Sequence, residues 1–105
     1  ELRNINTFLH IAELHSFSSA ARELGYSQSA VSAQISQLET ELGTPLFDRV
    51  GKTVRLTDAG QTFQSYARTL LITAQQAKAA LLQLLAPLLR VRSMMRWRGN
   101  VPRDW

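Results

Sequence analysis

Residues 17–36, FSSAARELGYSQSAVSAQIS, constrain the fold more than any other stretch of this chain. They read as two short helices joined by a tight turn. Ser18 and Ser27 each stand just before a helical pattern, where a side-chain oxygen caps free backbone N–H groups. Leu24 closes the first helix, and Gly25 supplies the permissive backbone that a short turn needs. Ala20 and Ala21 are small where the second helix must cross closely. Val31, Ile35, Leu38 and Leu42 recur at helical spacing, which leaves Gln28, Ser29, Ser32, Ala33 and Ser36 on an outward face. A helix with such a face of small polar residues fits a DNA major groove.

Bulk charge adds nothing to that argument. The net charge of +4 invites an inference to nucleic acid, but residues 1–89 hold seven basic and seven acidic side chains. The excess lies in residues 90–105, where Arg90, Arg92, Arg96, Arg98 and Arg103 face only Asp104. The helix–turn–helix reading therefore rests on local geometry. Other functions are excluded more directly. With no cysteine there is neither a disulfide framework nor a thiolate metal site. His10 and His15 are the only histidines, and at that sequence distance, with no second carboxylate pair nearby, they do not point to a metal or catalytic cluster. Neither a catalytic residue nor a cofactor is expected, and no apolar run is long enough to span a membrane. Glu1 opens directly into a helical pattern with no signal peptide, which points to the cytoplasm.

Around the motif, the chain reads as mainly α. Leu2, Ile5, Phe8, Leu9 and Ala12 mark a first amphipathic helix over about 2–14. The helices of the motif fall at about 19–24 and 28–42, the second ended by Gly43 and Pro45. In residues 46–57, LFDRVGKTVRLT, Val54 and Leu56 alternate with Thr53 and Arg55, and Gly51 marks a turn. A two-stranded hairpin follows, anchored by Leu46, Phe47 and Leu56, since such a hairpin is marginal alone. Its cations are Arg49, Lys52 and Arg55. Three helices and a hairpin make a winged helix–turn–helix, with domain bounds 1–57, motif 17–36 and wing 46–57. Cations on a wing beside a groove-inserted helix reach adjacent phosphates.

Asp58 then begins a long helix expected over 58–86. Phe63, Ala67, Leu70, Ala74, Ala77, Leu81, Leu84 and Leu88 alternate in steps of four and three, a heptad seam. Between 58 and 89 only Asp58, Arg68 and Lys78 are charged, so the helix packs along much of its length. The seam predicts pairing with a second copy. Pro87 breaks or kinks the pattern. Residues 87–105 form an atypical basic tail with three readings: disordered chain, an appended or out-of-frame extension, or the start of a further domain.

The run from Ser16 to Gly60 closely resembles the DNA-binding domain of LysR-type transcriptional regulators. The shared features are Ser16-Phe17 with Ala20-Ala21, Ser27-Gln28-Ser29-Ala30-Val31-Ser32, Ile35 and Leu38-Glu39. Glu41-Leu42-Gly43, Leu46-Phe47 with Arg49, Leu56-Thr57 and Ala59-Gly60 continue the match. With the flanking helices, the resemblance covers residues 1 to about 86. It implies that Gln28, Ser29 and Ser32 face base edges, that Ser27 sits near a phosphate, and that Arg49 and Lys52 approach the backbone. Many members carry Arg where this chain has Ala33, so base preference shifts toward Gln28, the wing and DNA shape.

The resemblance further implies a homodimer formed through the long helix, bound to an interrupted inverted repeat with T and A at its outer ends. It also implies a small-molecule effector that would act only in a C-terminal sensor domain, which this chain does not show. The expected function is sequence-specific double-stranded DNA binding within a bacterial transcription regulator. The rival is a protein-interaction module in which the long helix is the functional surface. Ala33 and the balanced charge of residues 1–89 favour that rival.

Overall fold

The first three helices of the computed structural model end where the local chemistry stops them. The structure describes residues 1–51 and 53–100, with the backbone alone from 89 onward. α1 (Leu2–Leu14) buries Ile5, Phe8, Ile11 and Ala12 and closes at His15, whose backbone turns left-handed (φ 56°). α2 (Phe17–Leu24) is capped by Ser16, whose hydroxyl oxygen accepts from the Ser19 N–H at 3.0 Å. This corrects the expected cap at Ser18: Phe17 is already helical and buried, so the cap moves back two residues. Gly25 at φ 77° ends α2, and the Tyr26 N–H returns to the Ala21 carbonyl at 2.9 Å.

α3 (Gln28–Leu42) starts at Ser27, which accepts from the Ala30 N–H at 3.1 Å. It ends at Gly43 (φ 75°). β1 (Phe47–Val50) and β2 (Thr53–Leu56) pair antiparallel, with Phe47 opposite Leu56 and Arg49 opposite Val54.

α1, α2 and α3 pack pairwise around one apolar core. Phe8 is fully buried at its centre, with its ring centroid 5.2 Å from those of both Phe47 and Phe63. The wing is thereby held to the helices, with Leu46 almost fully buried and Val54 buried beneath it. Glu39 on α3 makes a further tie. Its carboxylate accepts the Leu46 N–H at 2.7 Å and the Phe47 N–H at 3.4 Å, so it anchors the first residues of the wing.

The last helix, α4 (Asp58–Asn100), begins under a Thr57 cap whose hydroxyl accepts from the Gly60 N–H at 3.0 Å. It runs through Pro87, which corrects the expected end near residue 86. Proline removes one helical hydrogen bond and crowds the preceding turn, but the residues after it are mostly good helix formers with no glycine before Gly99. Residues 87–100 continue the helix. Residues 101–105 of the expected tail lie outside the described residues.

Residues 1–72 form one compact unit, and a second begins at Thr73. Within the first, Phe63 and Ala67 serve the core of their own chain: Phe63 packs edge-on to Phe8, and Ala67 is fully buried. These two positions of the expected pairing seam are therefore not free for a partner. Leu70 is half exposed. In the second unit Ala77, Leu81 and Leu84 are exposed and Ala74 is half-buried. Among the described residues, no helix is long and apolar enough to cross a membrane.

Candidate nucleic-acid interface

The first turns of α3 carry the residues that the sequence singles out. Gln28, Ser29, Ala33 and Ser36 are exposed, and Ser32 is half-buried. Val31, Ile35 and Leu38 point the other way into the core. Ser27 spends its hydroxyl locally, capping Ala30 and lying 3.3 Å from the Ser29 hydroxyl. No acidic side chain occupies the first turn of α2 or α3. The partial positive charge of both helix N-termini is thus not met by a carboxylate of the first turn.

The roll of α3 about its own axis is set from behind by polar contacts that sequence reading missed. Thr7 on α1 is fully buried, and its hydroxyl donates to the Gln34 side-chain oxygen at 2.6 Å. One turn earlier on α1, the Asn4 amide donates to the Gln37 oxygen at 3.4 Å. Two pairs, each offset by three residues on both helices, form a short polar seam inside an apolar contact. Gln34 stands where a generic helix–turn–helix has an apolar residue. The available signal was Asn4 and Thr7, polar residues three apart on the buried face of α1, facing polar residues three apart on α3.

The wing delivers Arg49 to the same surface. Its guanidinium carbon lies 4.4 Å from the centroid of the Phe17 ring. Arg49 lines a cleft of about 200 Å³ with Ser16, Ser18, Gln28 and Thr53. It also borders a recess of about 140 Å³ with Ser32, Ser36 and Glu39. The structure thus places Arg49 with Gln28 in the cleft and with Ser32 in the recess, while Ser29 and Ala33 are exposed on α3 and line neither. Arg55 lies opposite Asp48 in the hairpin register, so its side chain leaves from the other face of the wing. Lys52, the remaining wing cation, lies outside the described residues. Among the described residues, no group of three or more His, Asp or Glu side chains is placed to hold a metal ion.

The proteins that share these features agree on a family. The family described as a bacterial regulatory helix-turn-helix protein, lysR family, matches residues 2–61. The uncharacterized HTH-type transcriptional regulator YwqM of Bacillus subtilis is 48% identical over 80 residues, 76% of this chain and 27% of that protein. The HTH-type transcriptional activator IlvY of Salmonella typhimurium is 43% identical over 81 residues, 77% of this chain and 28% of its own length. The chain spans roughly a quarter of the length of these curated relatives.

Among solved structures, the BenM_DBD/benA site 1 DNA complex superposes with a TM-score of 0.76 at 36% identity, covering 80% of this chain and 98% of that one. The CbnR_DBD–DNA complex gives 0.73 at 32%, with 76% and 92% covered. With more than half of its residues matched to one family, and its helices and wing arranged as in these solved domains, the chain belongs to the lysR family of bacterial regulatory helix-turn-helix proteins.

Proposed function

We propose that this chain binds double-stranded DNA as a homodimer, each copy placing the N-terminal face of α3 in the major groove of one half-site of an interrupted inverted repeat. The observation that carries the reading is the shared cleft of Gln28 and Arg49, a base-reading amide beside a cation. Gln pairs with the N6 and N7 edge of adenine, and Ser29 and Ser32 offer adaptable hydroxyls to neighbouring base edges. Arg49 and the α2 and α3 N-termini meet phosphates and supply the sequence-independent part of the affinity. BenM_DBD and CbnR_DBD, which share the fold, were both solved on DNA.

Pairing is supported by the exposed apolar residues of α4. Leu81 is 57% and Leu84 71% exposed in the single chain, on a seam that continues through Ala74 and Ala77. A row of large apolar side chains left in water marks an association surface. Regulation of transcription in the bacterial cytoplasm is the role this binding would serve.

Selection of bound duplexes from a random pool, followed by gel-shift titration at moderate salt, tests the proposal. The expected product is an interrupted palindrome bound by two chains. Equal affinity for selected and random duplexes would refute it.

A further inference from the structure

Arg49 is an exposed cation that shares a face of the hairpin with apolar side chains. Phe47 and Arg49 are two residues apart on β1, opposite Leu56 and Val54, so these four side chains share one face. That face is turned to the core, where Val54 is buried and Phe47 and Leu56 are half-buried. Arg49 itself is exposed, and among the described residues no carboxylate pairs with it: the one contact between a basic and an acidic side chain joins His10 and Glu23. The contact of Arg49 is the Phe17 ring, which the guanidinium carbon overlies at 4.4 Å.

The ring itself is held. Phe17 is buried at the first position of α2 and meets Phe47 nearly edge-on, at 5.6 Å between centroids and 69° between planes. The exposed Arg49 therefore rests its guanidinium on a fixed platform.

We propose that Phe17 is a positioning residue for DNA binding. Its ring face presets the Arg49 guanidinium beside Gln28, so the phosphate flanking the base that Gln28 reads meets an ordered cation. An arginine without that platform retains its rotamer freedom and must be immobilised during binding, which weakens association. The inference rests on the DNA-binding reading above and assigns Phe17 a role that its burial alone does not require.

Four chains, wild type, Phe17→Leu, Arg49→Ala and the double variant, are titrated against the duplex recovered by selection. Phe17→Leu is expected to weaken binding by about two- to fivefold and to have no further effect once Arg49 is alanine. Phe17→Tyr, which keeps the ring face, restores binding. An equal loss from Phe17→Leu in both backgrounds would show that the ring acts through the fold and not through Arg49, which overturns the proposal. Wild-type affinity in Phe17→Leu overturns it as well.

Should Phe17→Leu fail to fold, the DNA-free wild-type chain decides. Its Arg49 Hδ and Hε resonances should be displaced upfield by the ring current, and random-coil shifts would sink the idea. Absence of any preferred duplex for the wild type would remove the DNA-binding reading, and the proposal with it, independently of those shifts.

Discussion

Replacing Thr7 by Val tests whether the polar seam between α1 and α3 holds α3 in place through one hydrogen bond. The change swaps a hydroxyl for a methyl at a fully buried position, so it opens no cavity and leaves the shape of α1 intact. What it removes is the 2.6 Å bond from the Thr7 hydroxyl to the Gln34 oxygen. Breaking one partner of such a pair costs about 1–3 kcal/mol, because the remaining group keeps its desolvation penalty. Gln34 is half-buried, and its oxygen regains some water, so the lower part of that range, about 1–2 kcal/mol, is expected.

Gln34→Leu is the harsher single change, since it strands the Thr7 hydroxyl where water does not reach. The pair Thr7→Val with Gln34→Leu replaces both groups by apolar ones and should be close to neutral. The coupling between the two sites is then about 1–2 kcal/mol. Native-state hydrogen exchange at the Phe8 and Val31 amides is the suitable assay, because it reports the winged unit without interference from the helical signal of α4. Strictly additive single effects, or a Thr7→Val chain as protected as wild type, would refute the bond as the device that joins the helices.

Three further outcomes follow from the same geometry. Gln28→Ala should cost about 1–3 kcal/mol at one base pair per half-site and flatten the preference there; competition gel shifts with duplexes altered at single positions measure it, and unchanged discrimination would contradict the docking. Leu81→Lys places a charge in the exposed seam of α4 and should weaken dimers in sedimentation velocity while the winged unit keeps its exchange protection; a dimer of unchanged strength would move the pairing surface elsewhere. Gly60→Ala adds a methyl that meets the Leu46 carbonyl oxygen, which already accepts the Thr57 N–H at 3.0 Å. The gain of about 1 kcal/mol in helix propensity is outweighed by overpacking of about 1–3 kcal/mol, so exchange protection should fall; a more protected variant would show that the close approach of α4 to residue 46 relaxes freely.

Some of this was legible in the chain because it is decided locally. Gly25 and Gly43 end helices since only a left-handed residue lets the terminal carbonyls be closed. Ser27 caps α3, and Gly51 turns the hairpin, for reasons contained within four or five residues. The misplaced cap of α2 shows the limit of local reasoning. Ser16 and Ser18 are equally good caps, and the choice between them depends on Phe17 needing a helical backbone to reach Phe47.

Long-range packing hid the rest. Arg49 reads as an ordinary wing cation until the register places it opposite Val54 and over a ring thirty-two positions earlier. Gln34 reads as a departure from a pattern until Thr7 is seen behind it. α4 carries the same lesson in its strongest form. Phe63 and Leu81 belong to one heptad pattern in the sequence. Periodicity states that a stripe is covered and cannot state by what. Phe63 is covered by Phe8 of its own chain, whereas Leu81 remains 57% exposed. A heptad seam that starts inside a domain core therefore has to be divided by burial, and only its uncovered part is available to hold two copies together.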